Sequence, residues 1–165
     1  MHPQVIPFLT ADRAQGYDAG FQREEFELQQ RWAAAGPKRL GLYDYLFGEG
    51  YLIPRIHTRL LSANLRHARR AGFTDYFAQV NPNWGLDGPM PWLAAQLLLD
   101  PSQPESDLVD EYYRRYFQEV AKPMRLFHPL LLAAREEPPH GLGHFLKISP
   151  VIFVHQTRLW LRRIQ

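Results

Sequence analysis

The chain has 165 residues, enough for one domain with a buried core, and its 19 Lys+Arg against 17 Asp+Glu give a net charge of only +2. So small a surplus does not predict a nucleic-acid-binding surface. The absence of Cys excludes disulfides and thiolate metal sites. No segment has a signal-peptide pattern or approaches the ~18 apolar residues of a membrane span, so no membrane partner is expected and the localisation stays unknown.

The first half of the chain predicts a helix, a strand and a second helix. Apolar residues spaced three and four apart predict the first helix over residues 21–35, with Asp12 or Asp18 as its N-cap. The segment 39–46 is rich in Leu and Tyr and is bounded by Pro and Gly, which predicts a strand. Residues 55–71 then place apolar side chains opposite an arginine-rich face, as an amphipathic helix does.

The second half continues the same alternation. Residues 73–80 have β-propensity over a strand length, and helices are predicted over 92–99 and 105–127, with Ser106 or Asp107 as the cap of the last helix. Strands that alternate with helices through short connections are typical of parallel βαβ units. The sequence therefore predicts an α/β fold with a parallel sheet.

Functional groups of parallel α/β folds gather after the carboxyl ends of strands. At the end of the first predicted strand, Asp44 lies between Tyr43 and Tyr45 and is the candidate catalytic carboxylate. Its structural alternative is a carboxylate that pairs with an arginine or caps a helix. Glu49, and Asp87 after the second strand, have the simpler interpretation of turn carboxylates.

The segment after the second predicted strand has the composition of a sugar-binding rim. Aromatic rings suit the C–H face of a sugar, and amide or carboxyl groups suit its hydroxyls. The alternative is that Trp84 packs on the proline-containing loop 89–91 and that the asparagines make Asx turns. The predicted substrate-binding residues are Tyr45, Gln79, Asn81, Asn83, Trp84 and Asp87.

The sequence has no motif that predicts a cofactor or a metal. A phosphate-binding loop, a nucleophile elbow and a zinc-protease motif are all missing. His57 and His67 are ten residues apart, which does not place two ligands on one helix face. His140 and His144 have a chelating spacing on a helix, but the glycines between them argue against a helix there.

The segment 31–127 resembles the bacterial DUF4838 family. Members of that family look like glycoside-hydrolase TIM barrels distantly similar to α-glucuronidases. The chain departs from the family in two places, because the family usually carries Trp in the position of Leu99 and Tyr-Tyr-Gly where this chain has Tyr116-Phe117-Gln118. The resemblance rests on Asp44-Tyr45, Pro54, Gly72, the strand end Phe77-Ala78-Gln79, Leu97 to Pro101, and the helix from Tyr112 to Ala121.

The resemblance implies that residues 1–127 are the C-terminal part of a (β/α)8 barrel, namely its last two βα units and a following helix. Two strands cannot close a barrel that needs about 250 residues. It further implies a parent protein that binds or hydrolyses a glycoside, and a chain that is not catalytically competent alone. Residues 128–165 are unassigned, and their change of composition is that of a frameshifted or disordered tail.

Two other interpretations stay open. A helix-rich protein–protein interaction module would dock a partner through the aromatic stripe of the last helix, and unpaired sheet edges would favour self-association. A non-functional gene fragment would be cleared because it cannot bury its core. The aromatic stripe consists of Tyr112, Tyr113, Tyr116 and Phe117.

Overall fold

A computed structural model of the protein describes residues 4–46, 56–80 and 84–127. Its three strands lie in the order β1-β2-β3 and pair in parallel. None of the helices in these ranges is long and apolar enough to cross a membrane. The strands are β1 (Phe8–Thr10), β2 (Gly41–Tyr45) and β3 (Asp75–Gln79), and the α-helices are α1 (Ala19–Ala34), α2 (Thr58–Arg70), α3 (Trp84–Asp87), α4 (Pro89–Leu99) and α5 (Glu105–Phe117).

The predicted α/β class and parallel sheet are confirmed, and the described residues form no closed barrel. The expectation of two βα units is corrected to three strands, because β1 precedes α1 and pairs with β2. β1 has only three residues, of which Leu9 alone is buried. So short a segment gives no readable alternation in sequence, which is why it was not predicted.

The ends of α1 and α2 follow ordinary capping chemistry. Of the two predicted caps for α1, Asp18 is confirmed, since its carboxylate accepts a hydrogen bond from the Phe21 N–H at 2.7 Å. α1 and α2 are followed by Gly36 (φ 70°) and Gly72 (φ 94°). Both glycines have the left-handed conformation that ends helices and that side chains disfavour.

The boundaries of α4 and α5 differ from the prediction. α4 begins at Pro89 rather than residue 92, since proline is well accommodated in the first turn, where its missing N–H would have no helical partner. α5 begins after Pro104 without a side-chain cap, so the predicted caps Ser106 and Asp107 are wrong.

The helix predicted over 105–127 is interrupted at Gln118. This residue has φ 47° and ψ −112° and opens a 3₁₀ turn over Gln118–Val120, after which residues 121–127 are helical again. A side chain at this positive φ is strained. The interruption falls at the position where the resembled family usually carries Gly.

The helices pack against one face of the sheet. Successive strand residues point to opposite faces, so Leu9, Leu42 and Tyr76 share a face and join a cluster with side chains of α1 and α2. A second cluster joins α2, α4 and α5. Its most deeply buried members include Leu61, Met90, Leu93, Leu97 and Leu108.

The opposite face of the sheet belongs to neither of these clusters within the described ranges. Phe8 and Phe77 on this face are each 43% exposed. Parallel sheets are normally covered on both faces, so a face that neither cluster of the described residues covers is the exceptional feature of this one. We call it the open face, and its side chains include those of Phe8, Thr10, Tyr43, Tyr45, Phe77 and Gln79.

Candidate functional site

The open face carries an aromatic patch towards the carboxyl ends of β2 and β3. Tyr43 pairs in register with Phe77, and Tyr45 pairs with Gln79. The Tyr43 ring lies 5.1 Å from the Tyr45 ring and 5.0 Å from the Phe77 ring, which are favourable tilted and edge-on contacts. We call Tyr43, Tyr45 and Phe77 the aromatic platform. The structure thus brings together two predicted site residues, Tyr45 and Gln79.

A fourth aromatic ring lies at the amino end of the same face. Phe8 pairs in register with Gly41, and its ring covers the glycine so closely that a Cβ atom there would collide with it. The absence of a side chain at residue 41 is therefore required by the position of Phe8. Tyr45 is four residues further along β2, about 13 Å at the usual rise of a strand.

Asp44 points away from the open face. Its side chain is 2% exposed, and Oδ1 lies 3.8 Å from Nη1 of Arg13. Oδ1 accepts a hydrogen bond from the Tyr45 N–H at 3.0 Å, and Oδ2 accepts one from the Tyr76 hydroxyl at 3.3 Å. This placement favours the structural alternative for Asp44, a carboxylate paired with an arginine, over contact with a ligand on the open face.

The titration of Asp44 is governed by its burial. Burial raises the pKa of Asp44, and the Arg13 charge and the hydrogen bonds from Tyr45 and Tyr76 oppose that rise without cancelling it. The pKa of the Tyr76 hydroxyl is raised well above its ordinary value, first by burial and then by the neighbouring Asp44 carboxylate. The pair is therefore an internal hydrogen-bonded unit rather than a solvent-facing acid.

A buried arginine completes this region and was missed in the sequence. Arg13 is 2% exposed, and its Nε donates to Oε1 of Glu25 at 2.8 Å. Its two terminal nitrogens donate to the carbonyls of Tyr43 at 2.9 Å and Leu9 at 3.2 Å. Gln29 donates a further bond of 3.1 Å to Glu25. We call Arg13, Glu25, Gln29, Asp44 and Tyr76 the Arg13 network.

The remaining predicted residues follow β3. Trp84 is 40% exposed, and its carbonyl accepts a hydrogen bond from the Tyr112 hydroxyl at 2.6 Å. Asp87 was interpreted as a turn carboxylate, but it ends α3 and is only 7% exposed. Burial raises its pKa to about 6. The predicted residues Asn81 and Asn83 lie outside the described residues, as does Glu49.

The aromatic stripe of α5 is largely part of the core. Tyr112 and Tyr113 are buried among residues of α4 and α5, and the Tyr112 ring lies 6.2 Å from that of Trp92. Tyr116 is exposed, and Phe117 packs on the edge of the cluster. The expectation that the whole stripe docks a partner is therefore wrong for its two buried members.

The histidines of the described ranges are involved in packing. His57 is buried at the start of α2, where its backbone N–H donates to the Met90 sulfur at 3.3 Å. His67 stacks on Phe26 with ring centroids 3.9 Å apart, and burial lowers its pKa. Within residues 4–46, 56–80 and 84–127, no group of three or more His, Asp or Glu side chains is placed to hold a metal ion.

Comparison with known proteins gives a family match. A family model described as "Domain of unknown function (DUF4838)" matches residues 3–128. The matched range contains all three strands, the Arg13 network and α1 to α5, and it begins nearer the N terminus than the segment 31–127. No curated protein and no solved structure matches the chain.

Proposed function

The chain belongs to the DUF4838 family, and we propose that it binds a carbohydrate on the open face, with Tyr45 as the stacking residue. The observation that carries this proposal is the aromatic platform, which lies on the sheet face that the described helices leave open, with Gln79 beside Tyr45. A sugar ring offers a face of C–H groups surrounded by hydroxyls. An aromatic ring next to an amide is suited to both parts.

The position of the platform supports the proposal. Tyr45 and Gln79 are the last residues of β2 and β3, and ligands of parallel α/β folds bind beyond the carboxyl ends of the strands. Trp84, 40% exposed on the helix after β3, is a further aromatic candidate for contact with the sugar. Asn81, Asn83 and Asp87 remain candidates for hydrogen bonds to hydroxyls.

For this chain alone we propose binding without hydrolysis. Glycoside hydrolysis needs two carboxyl groups, about 5 Å apart for retention or about 6.5–9.5 Å for inversion. Asp44 is buried behind β2 in the Arg13 network and cannot touch a sugar on the open face. Hydrolysis would require further strands of a parent (β/α)8 barrel to cover the open face and supply carboxylates.

The test is an affinity comparison between two aromatic residues of the open face. Wild type, Tyr45→Ala and Phe8→Ala would be titrated with a panel of methyl glycosides that includes methyl glucuronides. Loss of the stacking ring should weaken binding about tenfold, since such contacts contribute about 1 kcal/mol or more. The control Phe8→Ala lies at the far end of the face and should change the Kd less than about twofold.

Two results would overturn the proposal. One is the absence of saturable binding to every glycoside of the panel. The other is an equal loss of affinity in Tyr45→Ala and Phe8→Ala, which would show that binding does not depend on the carboxyl end of the platform.

A second candidate function is self-association through the sheet edges. Within the described ranges, β1 and β3 each pair on one side only, and Phe8 and Phe77 are exposed beside them. Such edges can pair with strands of another copy. Sedimentation equilibrium would support this candidate if it gave a dimer indifferent to sugar, and a monomer at all concentrations would contradict it.

A further inference from the structure

Two hydrogen bonds join the Arg13 network to the backbone of the aromatic platform. Nη1 of Arg13 donates to the Tyr43 carbonyl at 2.9 Å, and Oδ1 of Asp44 accepts from the Tyr45 N–H at 3.0 Å. The side chains that make these bonds are buried, whereas the Tyr43 and Tyr45 rings belong to the open face. The Arg13 network thus contacts the backbone of the platform without lying on the open face.

The sheet register gives the direction in which these two backbone groups point. Gly41 donates its N–H to the Pro7 carbonyl at 2.9 Å, so the odd-numbered residues of β2 direct their backbone groups to the β1 side. Leu46 donates to the Gln79 carbonyl at 2.9 Å, so the even-numbered residues face β3. Backbone groups of neighbouring strand residues alternate in this way in a parallel ladder.

β1 pairs with β2 only as far as Tyr43. Its last residue, Thr10, pairs with Tyr43. The Tyr43 carbonyl and the Tyr45 N–H therefore point to the side of β1 but beyond its last paired residue. Buried backbone groups without partners are unfavourable. Arg13 and Asp44 make bonds to these two groups at the point where the pairing with β1 ends.

The two side chains are themselves held in place. Arg13 is fixed by Glu25, which is in turn held by Gln29, and Asp44 is fixed by the Tyr76 hydroxyl. A hydrogen-bonded network in a buried environment is stiff because each bond strengthens its neighbours. A site whose backbone is ordered before binding loses less entropy when the ligand arrives.

We infer that Arg13 and Asp44 are positioning residues, which hold the end of β2 so that the Tyr43 and Tyr45 rings form one binding surface. The inference rests on the proposed carbohydrate binding for its functional meaning. It assigns the carboxylate Asp44 a role in binding without any contact with the ligand.

The test compares two substitutions of Asp44 that differ in one respect. Asp44→Asn keeps an acceptor oxygen for the Tyr45 N–H, whereas Asp44→Leu removes it at similar volume. With the methyl glycoside that wild type binds best, Asp44→Leu should weaken binding about tenfold and Asp44→Asn less than about threefold. All titrations would be made well below each variant's Tm, so that only folded protein is compared.

Val109→Ala is the matched control, because Val109 is buried in the second cluster and belongs to neither the Arg13 network nor the open face. It should lower Tm and leave the Kd within about twofold of wild type. An unchanged Kd in Asp44→Leu would overturn the inference. So would an equal loss of affinity in Asp44→Leu and Val109→Ala, which would indicate a structural effect alone.

A second measurement does not depend on any ligand. Nuclear Overhauser contacts between the Tyr43 and Tyr45 rings should persist in Asp44→Asn and weaken in Asp44→Leu, and the Tyr45 amide proton should move upfield when its acceptor is lost. If wild type binds no glycoside, the proposed function fails, and these signals still decide whether the network positions the rings. Unchanged ring contacts in Asp44→Leu would overturn the inference.

Discussion

The two faces of the sheet differ in what they bury, although the same strand supplies both. From β2, Leu42 and Asp44 enter the apolar core and the Arg13 network, whereas Tyr43 and Tyr45 stand on the open face. The covered face therefore stabilises the fold, and the open face provides the proposed site. The comparison teaches that its charge alone does not identify Asp44 as the residue that contacts a ligand, because its side chain lies on the covered face.

The largest effect should come from removing the charge of Arg13. Arg13→Met leaves Glu25 and Asp44 buried without their cation, which should destabilise the protein by about 3–5 kcal/mol. Thermal unfolding measures the loss. The matched control is Arg39→Met, because Arg39 pairs with Asp75 at an exposed position, where an ion pair contributes little to stability. Equal Tm changes in the two variants would contradict the account of the covered face.

The two faces can be compared directly by truncating one residue on each. Leu42→Ala removes a fully buried side chain and should lower the free energy of unfolding by about 2–5 kcal/mol. Phe77→Ala removes a larger but exposed ring and should lower it by about 1 kcal/mol or less. Urea unfolding of both variants checks the difference. A larger loss in Phe77→Ala would mean that the open face is a covered one.

The pH dependence of the protein's stability tests whether the Asp87 carboxyl is buried. Its folded-state pKa of about 6 exceeds the ordinary 3.8, so the folded state binds the proton more tightly than the unfolded state. Wild type should therefore lose stability as the pH rises from about 4 to about 6, and the loss persists at pH 7. Asp87→Asn cannot ionise, so it should be more stable than wild type at pH 7 by about 1–3 kcal/mol.

That advantage of Asp87→Asn should shrink as the pH falls towards 4. Urea unfolding of both proteins across this pH range measures it. A difference that does not change with pH would contradict the burial of the carboxyl.

The smallest effect concerns Gln118, which lies on neither face of the sheet. Gln118→Gly relieves a positive φ and should stabilise the protein by about 1 kcal/mol. The same change at Gln96, inside α4, should destabilise by about 1 kcal/mol, because glycine there only loosens a helix. Thermal unfolding separates the two, and a destabilised Gln118→Gly variant would contradict the strain at that position.

Much of the fold was predictable because its signals are local. The strands 39–46 and 73–80 and the helix 55–71 correspond to β2, β3 and α2 with shifts of a few residues, since β-propensity, amphipathic spacing and glycine signals act over short windows. β1 gave no such signal. The interruption at Gln118 is invisible in the spacing of the aromatic residues, which continues through it.

The site was less predictable because it depends on which face each residue takes. Tyr45 and Gln79 were expected at the site, and the register places them side by side. The orientation of Asp44 could not be predicted from the sequence. Both its neighbours are aromatic, and apolar and polar residues do not alternate along β2. Direct contacts within the Arg13 network join residues up to 32 positions apart in the chain, as between Asp44 and Tyr76, and no local pattern marks such a contact.

The most direct test of the proposed site is to map where a sugar binds. In a titration of wild type with the methyl glycoside panel, followed by two-dimensional amide spectra, saturable shifts should centre on Tyr45 and Gln79 and leave Phe8 unchanged. That result would assign the open face to carbohydrate. The absence of saturable shifts, or shifts centred on the exposed end of α5 around Tyr116, would contradict the account.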